Sequence, residues 1–344
     1  MSRAAKPAKP KNINLALQGG GAHGAFTWGV IDRLLEDGRL KIDAISGTSA
    51  GAMNAVVIAD GFTRDGADGA RQALHDFWHA VAIGARSSPI QSSPIDAFMG
   101  NWNLDFSPSF LMFDLISRLV SPYDLNPLNI NPLRTLVEEQ VDFDHVHHCG
   151  DVHLFVSATN VHTGRVRVFT NQEITVDAVM ASACLPHIFQ AVEIDGVPYW
   201  DGGYIGNPVL YPFFYHTQTP DIVLVQTNPI ERKQTPKTAR EILNRVNEIS
   251  FNASLIKELR AIEFVSRLID DDKLDPVDYM RTRMHLIDGG EALTAMSASS
   301  KLNAQWEFLC HLRDVGRDAA SHWLDANFDN VGKQATFDLA GILH

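Results

Sequence analysis

Cysteine and positive charge are both scarce in this sequence. The 344 residues include three cysteines, Cys149, Cys184 and Cys310, which are far apart in the chain. They form neither a disulfide framework nor a metal-binding motif, so we expect a reducing compartment and no metal or cofactor. Lys and Arg number 29 against 41 Asp and Glu, which gives a net charge of −12. This acidic balance argues against sequence-independent binding to nucleic acid.

Long apolar runs are also lacking. The stretch 202–220 is free of Asp, Glu, Lys and Arg, but its three prolines and several polar groups argue against a membrane-spanning helix. The basic tail at 1–11 is not followed by an apolar stretch of the signal-peptide type, and we predict that this tail is disordered. We therefore expect a cytoplasmic protein that can still contact a membrane or lipid surface through apolar side chains. The oligomeric state stays open.

The N-terminal part alternates between short apolar segments and glycine-rich turns. Residues 12–18 and 41–47 are typical of buried strands, and each is followed by a tight turn and a helix, the first of which should stop at Gly38. This order predicts an α/β fold with a mostly parallel sheet. The later predicted elements are paired strands at 152–160 and 164–170, a short helix stopped at Pro186, a hairpin with its turn at Asp195 and Gly196, strands at 221–228 and 283–290, and covering helices at 237–270 and 301–327.

Residues 47–51 have the sequence Gly-Thr-Ser-Ala-Gly, which fits the G-x-S-x-G turn between a strand and a helix. Gly47 and Gly51 leave room for a strained serine that points its hydroxyl out of the turn, where it can act as a nucleophile. A serine between glycines can also cap a helix without any catalysis. The motif alone leaves both functions open for Ser49.

A second glycine-rich turn, Gly19-Gly20-Gly21-Ala22-His23-Gly24, follows the first strand. It fits the G-x-G-x-x-G pattern of a dinucleotide-binding turn, for which Asp43 has about the right separation. However, Asp43 precedes the apolar part of its strand, and the end of that strand leads into Ser49. Glycine amides at a helix N-terminus also suit an oxyanion hole, so the two turns together favour acyl transfer over hydride transfer. A purely structural turn is the third alternative.

A serine nucleophile needs a base. Four late histidines lie in no recognisable motif, and a packed or surface position is expected for the last two of them: His216, His285, His311 and His322. By contrast, Asp201-Gly202-Gly203 follows the apolar end of a strand and leads into a turn rich in glycine and proline. An aspartate held by glycines at a strand end is placed to contact the end of another strand. Taken by itself, this motif would indicate only an Asp-Gly turn.

The three motifs, in this order, resemble the patatin-like phospholipase family over roughly residues 13–215. Gly19–Gly24 is similar to its glycine-rich oxyanion motif, Gly47–Gly51 to its nucleophile turn, and Asp201–Gly203 to its D-G-[AG] motif. Residues 178–203 also resemble the family's segment leading to its aspartate.

The resemblance implies a three-layer α/β/α fold and a lipid acyl hydrolase with a Ser–Asp dyad. Ser49 would be the nucleophile and Asp201 the base, so no histidine is needed. The oxyanion would be held by the amides of Gly19, Gly20 and Gly21, and the remaining motif glycines are Gly24, Gly47, Gly51, Gly202 and Gly203. The substrate would be a lipid or another acyl ester. The alternatives are a catalytically silent lipid- or partner-binding module and, less favoured, a Rossmann-type nucleotide-binding protein.

One position departs from the family pattern. His23 stands where the family commonly has Arg or Lys. A neutral imidazole gives less positive potential at the oxyanion site, which puts the role of this side chain in doubt but not that of the glycine amides.

The resemblance also implies a division of the chain. We expect the tail at 1–11, a patatin-like catalytic domain at 12–215 with a Pro- and aromatic-rich insertion at about 86–135, and late strands with a helical C-terminal extension at 216–344, packed on the core.

Five aromatic residues of the insertion are spaced close to one helical face, with Gly100 and Pro108 interrupting the pattern. They are Phe98, Trp102, Phe106, Phe110 and Phe113. The interruptions suit a movable cover, so we predict that some of these rings line the acyl entrance or touch the lipid surface. Packing over the sheet edge, or a dimer contact, is the competing explanation.

Overall fold

The computed structural model describes residues 9–86, 88, 102–105, 107–275 and 278–343. Most of the predicted tail and part of the predicted insertion lie outside the described residues. The strands are β1 (Lys11–Leu17), β2 (Leu40–Gly47), β3 (His153–Asn160), β4 (Val166–Thr170), β5 (Val192–Ile194), β6 (Val197–Asp201), β7 (Asp221–Gln226) and β8 (Arg283–Asp288). The helices are α1 (Gly24–Asp37), α2 (Ala50–Ala85), α3 (Pro108–Leu119), α4 (Pro122–Leu125), α5 (Pro132–Gln140), α6 (Phe143–His148), α7 (Val176–Ser182), α8 (Tyr211–His216), α9 (Ala239–Asp270), α10 (Gly290–Thr294), α11 (Trp306–Asn327) and α12 (Leu339–Leu343).

One sheet contains all eight strands of the described chain, in the order β5-β6-β3-β2-β1-β7-β8, with β4 pairing against β3. Five adjacent strands are parallel to one another, namely β3, β2, β1, β7 and β8. The shorter strands β4, β5 and β6 are antiparallel additions beside β3. The predicted mostly parallel α/β sheet is confirmed.

Alternate residues of β1 face two separate apolar cores, as the two-residue period of a strand requires. Leu15 and Leu17 belong to a core shared with α1, α2 and α11. Ala16, between them, belongs to a core that includes Phe213 of α8 and Leu255 of α9. Helices therefore cover both faces of the sheet, which gives the three-layer α/β/α arrangement.

Several helices end or begin where local backbone chemistry dictates. The α1 helix stops as predicted at Gly38, which takes the left-handed conformation with φ 69. The α2 helix extends to Ala85, because a second amphipathic stretch follows a break at Asp65 and Gly66. The predicted helix at 301–327 begins only at Trp306, since 298–302 form a 3-10 turn. Within the described chain, no helix is both long and apolar enough to cross a membrane.

Strand register brings the predicted catalytic residues to one edge of the sheet. Gly47, at the end of β2, lies opposite Val156 of the parallel strand β3. Ser49 lies two residues after Gly47. Ala158 lies two residues after Val156 and pairs with Asp201 of β6. The backbone pairing alone therefore places Ser49 and Asp201 at the same level, across β3.

Candidate active site

Ser49 occupies the tight turn between β2 and α2, with φ 55 and ψ −120. This region is unfavourable for a residue with a side chain. A Cβ at Gly47 would collide with the backbone of Gly51, and a Cβ at Gly51 would collide with the carbonyl of Leu17. The Ser49 amide donates to Ser182 Oγ at 2.9 Å, and the serine itself remains partly exposed. The two glycines thus permit a turn that leaves the hydroxyl accessible.

The positive φ of Ser49 leads to a prediction about stability. Ser49→Gly should raise the free energy of unfolding by about 1 kcal/mol, because glycine adopts this conformation without the steric cost. The gain is reduced by the greater freedom of glycine in the unfolded chain. Urea unfolding followed by circular dichroism would measure it, with Ser49→Ala as the matched control that lacks the hydroxyl but keeps the strain. If Ser49→Gly were no more stable than Ser49→Ala, the turn would store no releasable strain.

Asp201 is buried at the end of β6, with 1% of its surface exposed. Its amide donates to the Cys184 carbonyl at 2.8 Å, and its carbonyl accepts from Thr159 Oγ1 at 2.8 Å. The carboxylate Oδ1 accepts from the Gly203 amide at 2.7 Å. These contacts fix the position of the carboxylate, and the missing side chain of Gly202 lets β6 approach the carbonyl of Ser157.

The pKa of the Asp201 carboxyl is raised to about 7. Burial raises it, whereas hydrogen bonding to the Gly203 amide and the Ser49 hydroxyl, together with the positive charge of Lys301, lowers it. An exposed aspartate, with a pKa near 4, would be a poor base at neutral pH. A carboxylate with a pKa near 7, in contact with a serine hydroxyl, has the properties of a general base.

The glycine turn after β1 packs directly against Ser49. A Cβ at Gly19 would lie 2.7 Å from Ser49 Cβ, and one at Gly20 would lie 2.8 Å from Thr227 Oγ1. Gly21 has φ 58, and the Lys301 carbonyl fills the space that its side chain would need. A side chain at Gly19 would collide with Ser49, whereas side chains at Gly20 and Gly21 would collide with Thr227 and Lys301.

The Gly19 amide does not fit its predicted role as an oxyanion donor. It donates to Asn207 Oδ1 at 2.7 Å, so it is not free to bind a substrate oxygen. Among the described residues, the amides of Gly20 and Gly21 donate to no protein acceptor. The candidate oxyanion donors of this turn are therefore the amides of Gly20 and Gly21, without that of Gly19.

His23 is buried at the start of α1, and its Nε2 hydrogen-bonds Ser300 Oγ at 2.8 Å. Burial lowers the pKa of the imidazole to about 3, and the nearby charge of Lys301 also lowers it. The side chain is therefore neutral at physiological pH. It packs edge-on against Phe308 and contributes no positive charge to the glycine turn.

His285 and Asp43 make their contacts away from Ser49. His285 hydrogen-bonds Asp221, the first residue of β7, at 3.0 Å. Asp43 accepts from Thr219 Oγ1 at 2.7 Å, just before the same strand. Both contacts lie near the amino end of β7, whereas Ser49 lies at the opposite, carboxyl edge of the sheet. Asp43 is therefore not placed to read a ribose beside the glycine turn, which argues against the dinucleotide alternative.

The predicted aromatic segment is only partly visible in the described chain. Two of its five members lie outside the described residues, namely Phe98 and Phe106. The Trp102 ring stacks on Phe308 of α11, with 5.3 Å between ring centroids. Phe110 and Phe113 are partly buried on α3. Trp102 therefore packs on α11, and an acyl-entrance role for members of this segment stays a prediction.

Some residues around the dyad were not found by sequence reasoning. They are Ser182, Asn207, Thr227, Asn228 and Lys301. Thr227 and Asn228 directly follow the buried strand β7 and contact Gly19; their place after a parallel strand was the available signal. Lys301 had no such signal, because its charge fits the exposed face of the predicted helix.

A family model described as patatin-like phospholipase matches residues 15–214, more than half of the chain. The chain belongs to the patatin-like phospholipase family. The resemblance drawn from the three motifs is confirmed, and the matched range includes both Ser49 and Asp201. No curated protein matches the sequence.

Two bacterial proteins are among the solved structures similar to this patatin-like chain. VipD from Legionella pneumophila is 17% identical, with a TM-score of 0.43 over 92% of this chain and 67% of its own. The type III effector protein ExoU of Pseudomonas aeruginosa is 15% identical, with a TM-score of 0.34 over 93% of this chain and 54% of its own. The chain spans about two thirds of the length of the first and about half of the second.

Proposed function

We propose that the protein hydrolyses carboxylic esters of lipids, of the phospholipase A or lysophospholipase type, through a serine acyl-enzyme. Membership of the patatin-like phospholipase family supports a lipid ester as substrate. One observation carries the mechanism: a buried carboxylate, Asp201, whose pKa is about 7, contacts the strained and partly exposed Ser49. The hydrogen bond from the Gly203 amide alone would make Asp201 a structural cap; the interaction of its carboxylate with Ser49 is what favours a hydrolase over a silent binding module.

The reaction proceeds in two halves. Ser49 Oγ attacks the ester carbonyl carbon while Asp201 accepts the hydroxyl proton, and the same proton then goes to the leaving alcohol. The acyl group remains on Ser49. Asp201 next takes a proton from water, the hydroxide attacks the acyl-enzyme, and the carboxylic acid leaves as Ser49 regains its proton.

The negative oxygen formed in each half needs hydrogen-bond donors. The free amides of Gly20 and Gly21, in the turn whose Gly19 packs against Ser49, supply two of them. The amide of Ala50 is a third candidate, because it follows the nucleophile at the first position of α2, where no intrahelical acceptor exists. The positive end of the α2 dipole favours negative charge at the same place.

Exposed apolar side chains on α3 and on the segment that leads from it to α5 support contact with aggregated lipid. Exposed side chains there include Leu111, Met112, Leu115, Leu119, Leu125, Leu128 and Ile130. The segment is held against the loop before β5, because Gln190 Nε2 donates to the Asn126 carbonyl at 2.7 Å. The Ala191 amide donates to the Tyr123 hydroxyl at 3.2 Å. We infer that this surface meets the lipid while its ester reaches Ser49, as a cytoplasmic protein acting peripherally would require.

A panel of esters tests the proposed function. Purified protein would be assayed on a phospholipid, a lysophospholipid, a neutral glyceride, a storage polyester, an acyl thioester and a short soluble ester, with Ser49→Ala as the blank. We expect Ser49-dependent hydrolysis in at least one lipid class and of the soluble ester. Binding of lipid vesicles without hydrolysis of any ester would instead support the silent module.

A further inference from the structure

Lys301 reaches the glycine turn from the C-terminal part of the chain. It lies in the 3-10 turn Ala298–Leu302, between α10 and α11. Its carbonyl fills the space beside Gly21, and the neighbouring Ser300 hydroxyl hydrogen-bonds His23. The partly buried Lys301 ammonium donates to Asn228 Oδ1. The side chain is thus built into the site rather than directed into solvent.

Asn228 connects this ammonium to the peptide between Gly19 and Gly20. Its Nδ2 donates to the Gly19 carbonyl at 2.6 Å, and Thr227 Oγ1 donates to the same carbonyl at 3.0 Å. The C=O and N–H of a trans peptide point in opposite directions. Holding the Gly19 carbonyl against Asn228 therefore directs the Gly20 amide to the other side, where it meets no protein acceptor in the described chain.

We propose that Lys301 is a positioning residue that orients and polarises the Gly20 amide through Asn228. The proposal rests on the proposed hydrolase function. The ammonium withdraws electron density from the Asn228 amide, whose N–H then polarises the Gly19–Gly20 peptide, because hydrogen bonds in series strengthen one another. A more polarised Gly20 N–H binds the oxyanion more strongly than the ground-state carbonyl. The effect therefore falls on kcat rather than on KM.

The charged and titratable groups around Lys301 come from four parts of the fold. Glu248 lies on α9, Arg232 follows β7, Asp201 ends β6, and His23, which is neutral, lies in the glycine turn. Burial lowers the pKa of Lys301 to about 8; Glu248 and Asp201 favour the charged form, and Arg232 disfavours it. Arg232 is itself paired with Glu248 at 2.6 Å. Lys301 is therefore charged at neutral pH and loses its proton above about pH 8.

The test compares Lys301→Met with Lys333→Met, a matched control at an exposed position of the same C-terminal part. On a short soluble ester we expect kcat of Lys301→Met to fall at least about tenfold with KM nearly unchanged. Affinity for an alkyl trifluoromethyl ketone, which forms an oxyanion on the serine, should fall by a similar factor. Lys333→Met should match the wild type in all three.

Lys301→Arg provides a second, independent readout. In the wild type, kcat should decline above about pH 8 as Lys301 loses its proton. Arginine stays charged across this range, so the variant should keep its activity to at least about pH 10. The pH profile of Lys301→Arg tests the role of Lys301 even if Lys301→Met does not fold.

The outcomes separate the two proposals. Wild-type hydrolysis with Lys301→Met equal to Lys333→Met, or an unchanged alkaline decline in Lys301→Arg, would overturn the role of Lys301 alone. Absence of any Ser49-dependent hydrolysis in the wild type would overturn the proposed function, and the role of Lys301 with it. Loss of kcat in Lys301→Met, or a shifted alkaline limit in Lys301→Arg, supports the proposal.

Discussion

Replacing Asp201 with asparagine should lower kcat by on the order of 10³-fold or more while the protein keeps its fold. An amide oxygen can still accept the hydrogen bond that the Gly203 amide donates, so the local geometry has no reason to change. It cannot accept the proton of Ser49, which removes the base from both halves of the reaction. The measurement is the steady-state rate on a short soluble ester, with circular dichroism and the melting temperature as checks on folding.

Ser49→Ala is the matched comparison for this prediction. Since the nucleophile and the base act as a unit, the two variants should lose comparable activity, and the double variant should lose little more. If Asp201→Asn kept more than about a tenth of the wild-type rate, the dyad would be wrong. A histidine base would then have to be sought.

The same substitution should stabilise the protein at neutral and alkaline pH. The folded protein holds the Asp201 proton up to a pKa of about 7, whereas the unfolded chain loses it near pH 4. Between these values the folded state binds more protons, so folding becomes less favourable as the pH rises. The cost is complete above about pH 7, on the order of 4 kcal/mol at most. Asparagine avoids it because it carries no charge.

Urea unfolding at pH 4.5 and pH 8.5 would test this second prediction. The stability gain of Asp201→Asn over the wild type should be several-fold larger at pH 8.5 than at pH 4.5. An equal difference at the two pH values would mean that the carboxylate is not destabilised by burial in the folded protein. In that case its raised pKa could not serve as the basis of the mechanism.

Local sequence patterns were sufficient for much of the fold around the site. β1 and β2 are apolar and short, and the glycine turns that follow them admit few conformations. The hairpin turn is a second example, since Asp195 and Gly196 both have positive φ, 52 and 76, as a two-residue type I′ turn requires. Such local patterns do not predict which strands distant in sequence pair, or in which register. Asp201 lies beside Ser49 only because of the register in which β6 pairs with β3.

The second layer of the site was beyond sequence reasoning for the same physical reason. Asn207, 188 residues away in the sequence, accepts the hydrogen bond of the Gly19 amide. No local motif at either residue indicates this contact. The sequence predicts a helix at 301–327 with charged residues on one side and apolar residues on the other, and Lys301 fits the charged side. The helix instead begins at Trp306, and the preceding 3-10 turn brings Lys301 to the active edge. The division into a catalytic domain and a C-terminal extension stays a prediction.

A fluorophosphonate probe tests the central claim, that Ser49 is a nucleophile activated by Asp201. The wild type should gain one adduct per chain by intact mass, located on Ser49 by peptide mapping, at a rate that rises through about pH 7 as Asp201 loses its proton. Ser49→Ala should gain none, and Asp201→Asn should react at least about a hundredfold more slowly, without that pH dependence. Labelling at another residue, or equal labelling of wild type and Asp201→Asn, would contradict the account.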